Sequence, residues 1–215
     1  IIGLLYGSII AIMQQEVKRL IAYSSMAHVG LMAAAAFAMN TDAFKGVSIQ
    51  MISHGLMTAL FFALIGMIYG RTHTRNVTEM GGLMKVIPFL AVVYMIAGFA
   101  SLGLPGLSGF VAEMTVFVGS FQHQDMFHRV VTIIAASSIV ITAVYILRVV
   151  GMMLLGPIKD PHHEHLEDAK WFEKLSTVTL VLAIAAIGIF PLWLSDTILD
   201  SLKPIVERLA SAIPF

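Results

Sequence analysis

Apolar runs of membrane length constrain this chain more than any other feature. Residues 21–39, 47–69, 130–155 and 175–194 each reach or exceed the roughly 18 apolar residues with which a helix crosses about 30 Å of hydrocarbon. Residues 1–13 form a shorter run, read as a span whose beginning is cut. The pattern predicts an all-α, polytopic transmembrane helix bundle, with 58% of residues hydrophobic and the charged 12% gathered between the runs. Thirteen basic residues cancel thirteen acidic ones, so no basic field exists to attract nucleic acid. Cysteine is absent, which excludes thiol catalysis and thiolate metal sites.

Residues 86–121 need separate treatment, because their middle reads SLGLPGLSGF. Proline removes a backbone donor and glycine weakens a helix, so a discontinuous helix is expected there. Two arrangements fit the length: one crossing by a broken helix, or two short spans joined by a turn at residues 104–108. Loop charge favours the broken crossing, which places nine of the thirteen Lys and Arg residues on one side, including Lys18, Arg19, Arg71 and Lys159. That side is expected to be cytoplasmic. The membrane domain is expected to end near residue 194. Residues 195–215 would add an amphipathic C-terminal helix on the membrane surface or on a neighbour, with Ile198, Leu199, Leu202, Ile205, Val206 and Leu209 on its apolar face and Pro204 marking a bend.

Three ionisable residues lie inside the spans, where a charge is costly and normally faces protein or water: His28, His54 and Glu113. Ser24 and Ser25 precede His28 by one turn and share its ridge; Thr58 stands on the face of His54. Glu113 follows the helix break closely, and backbone groups freed by such a break are tolerated at depth only beside a cavity or other protein. Imidazole titrates near neutral pH and desolvated carboxyl groups can hold a proton there, so the trio suits proton relay.

A blander reading fits each histidine taken singly, as a neutral hydrogen-bonding partner that locks two helices. For Glu113 that reading is weaker, since a carboxyl group costs more to keep at depth. The run HHEH at residues 162–165 invites a metal assignment, but its acidic and basic neighbours read as a solvated linker. No metal ligand set is expected. Fourteen methionines scattered through the spans read as packing.

The tracts EVKRLIAYSSMAHVG, QMISHGLMTALFFALIGMIYGRTHTR and SLGLPGLSGFVAE resemble the C-terminal half of the subunit M (chain 4) family of respiratory NADH-quinone oxidoreductase, over about residues 5–194. KRLIAYSS is shared with subunits of multisubunit sodium/proton antiporters and membrane-bound hydrogenases, which remain the alternatives. Glutamate at position 113 and the arginine-histidine-arginine loop favour the first family. The resemblance implies a proton-translocating, antiporter-like membrane subunit of complex I, in a bacterial inner membrane, with protons, the lipid bilayer and other membrane subunits as partners. It places His28 and His54 in a central row of relay residues and Glu113 as the exit residue on the broken helix. It implies no cofactor in this chain: NADH, FMN, iron-sulfur clusters and quinone would belong to partner subunits. The first half of the relay would lie upstream of Ile1. Lys18 and Arg19 match a family motif as well, but their position at the membrane boundary equally explains them through helix termination and orientation.

Overall fold

A computed structural model describes residues 1–122 and 125–212. Among them the chain forms nine α-helices: α1 (Ile2–Met13), α2 (Val17–Ala36), α3 (Thr41–Thr72), α4 (Leu83–Val86), α5 (Pro88–Ser101), α6 (Ser108–Phe121), α7 (Met126–Leu154), α8 (Trp171–Ile189) and α9 (Pro191–Ala212). A single 3-10 turn, Pro161–His165, interrupts the loop before α8. Three of these helices, α3, α7 and α8, are long and apolar enough to cross a membrane. Hydrocarbon offers backbone groups no partner, so a crossing segment must satisfy its own, and the helix does so. At 1.5 Å per residue the 32 residues of α3 extend about 48 Å, well beyond the apolar run that marks it in the sequence. Both extensions have local causes. Asn40 Oδ1 accepts the Ala43 N–H at 2.8 Å and caps the start, while His73 ends the helix in the left-handed region at φ 54°.

Helix α1 packs antiparallel on α2, and a backbone bridge between Glu16 and Asn76 ties the start of α2 to the segment after α3. The loops at residues 14–16, 73–82 and 155–170 thus gather on one face of the bundle, here the loop face. Arg148, near the end of α7, donates to the Ile12 carbonyl there.

The interrupted segment traverses the bundle once, in two halves. Both α5 and α6 run antiparallel to α3, in succession. Phe89 N–H is held by Asp168 on the loop face, Tyr94 meets Phe61 edge-on at 5.4 Å, Ser108 Oγ bonds Ser53 Oγ at 2.7 Å, and Gly119 reaches Ala43 at the opposite face. Residues 102–107 connect the halves with Gly103 and Gly106 at positive φ, 64° and 91°, a conformation other residues rarely tolerate.

The last third departs from the sequence expectation. Helix α8 stops at Ile189, Phe190 leaves helical geometry, and α9 begins at Pro191 rather than near residue 195. Proline suits a first helical position, where its missing N–H is not needed, and the apolar PLWL masks the boundary in the sequence. Leu194 and Ile198 of α9 pack on Ile49, Ala112 and Ile187. The helix continues through Pro204, the expected bend position. Residues 213–215, and the side chain of Leu209 on the expected apolar face, lie outside the described residues.

Candidate functional site

The helix break, α2 and α3 bring His28, His54 and Glu113 together, each less than a tenth exposed. His28 Nδ1 donates to the Ser24 carbonyl at 2.8 Å. A carbonyl can only accept, so in the neutral ring Nε2 carries no proton. That bare nitrogen faces Glu113 Oε1 at 3.8 Å, just outside hydrogen-bonding range and within reach of a side-chain rotation. On the other side of His28 lies His54, with ring centroids 5.2 Å apart. His54 Nε2 is hydrogen-bonded to Ser25 Oγ at 2.7 Å; its Nδ1 is buried with no hydrogen-bond partner among the described residues. The trio thus runs from α3 across α2 to α6.

Helix α7 adds side chains that the span analysis does not single out. Tyr145 donates to Ser24 Oγ at 2.8 Å and lies 3.3 Å from Thr142 Oγ1. A cleft between His28, Glu113, Ser138 and Thr142 has room for about one water molecule. Gly103 lets the backbone of the break lie against the carboxyl group: a Cβ there would sit 2.5 Å from Glu113 Oε2. The Ser101 backbone, ending α5, faces His28 as well. A signal for α7 exists in the sequence, since Thr132, Ser138, Thr142 and Tyr145 recur on one helical face.

Ser24 and Ser25 serve the site as their ridge predicts, but Thr58 does not. Its hydroxyl turns back to the His54 carbonyl at 2.7 Å, the usual local bond of a threonine within a helix, and the imidazole takes its partner from α2 instead. Lys18 and Arg19 stand apart from the site at the loop face, ten and nine residues before His28; Arg19 is exposed and pairs with Glu16 at 2.8 Å. In the HHEH run, His162, Glu164 and His165 are exposed as a solvated linker requires. His163 is not: it is 3% exposed, with Nε2 3.4 Å from the Thr72 carbonyl, because the 3-10 turn wedges it under the end of α3. Among the described residues no group of three His, Asp or Glu side chains is placed to hold a metal ion.

Solved structures with this architecture are membrane proteins of multisubunit complexes. A chain of respiratory complex I from Thermus thermophilus superposes with a TM-score of 0.86 at 25% identity, covering 96% of this chain and 42% of that one. A chain of the Mrp complex from a Dietzia species superposes with a TM-score of 0.82 over 97% of this chain and 47% of that one; at 17% identity that likeness concerns the fold. The NADH-quinone oxidoreductase subunit M of Rickettsia felis is 34% identical over 209 residues, covering 97% of this chain and 41% of that protein. The chain thus spans about two fifths of the length of this relative. The family described as NADH:quinone oxidoreductase/Mrp antiporter, TM, matches residues 1–142, which contain all of α1 to α6 and the three ionisable residues. This integral membrane chain therefore belongs to the NADH:quinone oxidoreductase/Mrp antiporter transmembrane family, as its sequence motifs lead one to expect.

Proposed function

We propose that this chain provides the second half of a proton relay in a subunit M of NADH-quinone oxidoreductase, in a bacterial inner membrane. It would be a non-redox part of that enzyme: NADH, FMN, iron-sulfur clusters and quinone fall to partner subunits, and the chain contacts lipid and neighbouring membrane subunits. The observation that carries the reading is the continuity of three titratable side chains across a helix break, with 5.2 Å between the imidazoles and 3.8 Å from His28 to Glu113. In this reading His54 and His28 pass a proton between them, and Glu113 takes it from His28 Nε2 once rotation closes the remaining gap. Moving one charge across 100 mV involves about 2.3 kcal/mol, the energy each transported proton must take up or release. The 34% identity to the Rickettsia felis subunit M supports this reading over a cation/proton antiporter without a redox partner, since the Mrp chain that shares the fold is only 17% identical.

The test is Glu113→Gln in the intact complex, reconstituted in vesicles and driven by NADH. Proton translocation per NADH oxidised is expected to fall about tenfold or more, on the scale of a positioned acid–base group. Undiminished translocation by an assembled Glu113→Gln complex would overturn the proposal. His28→Ala and His54→Ala separate relay from helix locking: a relay predicts lost translocation per assembled complex, locking predicts lost assembly with normal translocation in what remains.

A further inference from the structure

Helix α8 buries less of itself than α3 or α7, and both its ends are marked by exposed aromatic rings. Trp171 and Phe172 stand at the loop-face end, Phe190 and Trp193 at the other. Its 19 residues rise about 28 Å, close to the thickness of a hydrocarbon layer, and such rings collect where hydrocarbon meets lipid headgroups. The level of Trp171 is therefore a headgroup level. Three exposed lysines belong to it: Lys170 and Lys174, one turn apart at the start of α8, and Lys85 on the α4 turn that leads into α5. Lys174 Nζ lies 5.3 Å from the centre of the Phe89 ring, which puts the ammonium over the groove between α5 and α8. None of the three forms an ion pair among the described residues. The acids beside them are engaged inward: Glu173 by Arg71 and the Lys170 N–H, Asp168 by the N–H groups of Phe89, Leu90 and Ala169. Along residues 83–90 and 165–175, Glu167 is the one exposed acid against three exposed lysines. One turn deeper, Val92 of α5 and Val178 of α8 are exposed and apolar, and Leu182 and Ile189 continue the α8 stripe.

From this we infer that the α5–α8 groove at the loop face binds an anionic phospholipid, with Lys170, Lys174 and Lys85 on its phosphate and Val92, Val178 and Leu182 along its acyl chains. Charge complementarity selects the partner. A phosphodiester offers acceptors and one negative charge, while an ammonium offers three donors and no acceptor. The contact of Lys174 with the Phe89 face uses none of those donors, so they remain for the phosphate. With Glu173 and Asp168 engaged inward, neither of those carboxylates answers the lysines. A zwitterionic lipid carries the same phosphate together with a cation that the lysines repel. A soluble anion makes no use of the apolar stripe below them, whereas basic pockets between membrane helices hold lipid headgroups by this combination.

The experiment places a photoreactive benzophenone amino acid at Trp171 of the intact complex, in vesicles of mixed phosphatidylglycerol and phosphatidylcholine, and identifies what it captures by mass spectrometry. The ratio of phosphatidylglycerol to phosphatidylcholine adducts is expected to exceed the bulk ratio about fivefold, the scale of one lysine near an anionic surface. Lys170→Gln combined with Lys174→Gln should return the ratio to that of the bulk, and Lys174→Arg, which keeps the charge, should retain the enrichment. The replaced lysines are exposed, so these complexes are expected to assemble normally. Adducts at the bulk ratio in the otherwise unaltered complex would overturn the proposal. Enrichment that survives the double glutamine variant would do the same, because the lysines would then not be its source. Capture of polypeptide instead of lipid would show that a neighbouring subunit covers the groove, and would also overturn it. Inorganic phosphate added at constant ionic strength separates the two sources of a phosphate group: enrichment that persists supports the lipid, and enrichment that disappears gives the site to a free anion and ends the lipid assignment.

Discussion

Arg71→Ala is expected to cost about 2–3 kcal/mol of stability, the upper range for losing hydrogen bonds to a charged group. The guanidinium is 13% exposed and Glu173, its partner at the start of α8, is 14% exposed. The fork is filled. Nη1 and Nη2 bond the two carboxylate oxygens at 3.2 and 2.5 Å, Nε reaches the Glu167 carbonyl at 2.7 Å, and Nη1 and Nη2 reach the carbonyls of Met67 and Asp168 at 2.9 and 3.3 Å. One side chain therefore fastens the end of α3 to the loop before α8. That loop in turn fastens α5, whose first N–H groups at Phe89 and Leu90 are taken by Asp168 at 2.8 and 3.4 Å. Alanine leaves Glu173 charged and without its fork, keeping the Lys170 N–H at 2.7 Å. Lysine keeps the charge but not the planar geometry, and should recover less than half of the loss. Denaturant titration of the assembled complex reads these differences. The double variant Arg71→Ala with Glu173→Gln is expected to be more stable than Arg71→Ala, since it removes a charge that has lost its guanidinium. A loss below about 1 kcal/mol for Arg71→Ala would place the pair with exposed salt bridges instead.

This pair also marks the boundary of what the sequence discloses. His28, His54 and Glu113 are legible because an ionisable group within an apolar run is exceptional, and the interruption at Pro105 announces itself through proline and glycine. The direction of the chain after the break is not legible, since 36 residues fit two arrangements. What decides it is contact along α3, where Ser53 meets Ser108 and Gly46 meets Val116. Arg71 and Glu173 stand 102 residues apart, and Tyr145 and Ser24 stand 121 apart. Nothing local to either member reveals the other. His163 misleads for a related reason: its neighbours are hydrophilic, and only the fold of the 3-10 turn drives that one ring beneath Thr72. Tertiary packing also redirects Thr58, whose local carbonyl bond wins over the imidazole on its own helix face.

Gly46→Val is expected to cost about 3 kcal/mol, the upper part of the usual range for overpacking, and to silence translocation in whatever assembles. At this crossing α3 and α6 touch backbone to backbone: a Cβ on Gly46 would lie 2.5 Å from the Val116 nitrogen and 2.8 Å from the Thr115 carbonyl carbon. Main chain on both sides cannot yield as a flexible side chain would, so the helices must separate. Glu113 sits one turn from Val116 on the displaced helix. Its gap to His28, 3.8 Å in the intact chain, then widens beyond what a side-chain rotation closes. Stability and function should fall together here, whereas Glu113→Gln loses function with the chain intact. The same helix supplies the control. At Gly66, further along α3, an added methyl group would meet nothing within 4 Å, and Gly66→Ala should stabilise α3 by roughly 0.5–1 kcal/mol through helix propensity. Denaturant titration of Gly46→Ala against Gly66→Ala isolates the crossing from the propensity, because the two substitutions are chemically identical. Opposite signs are required if close approach of α3 and α6 sets the position of Glu113; equal shifts would mean that the crossing has slack and that the carboxyl group is placed by the break itself.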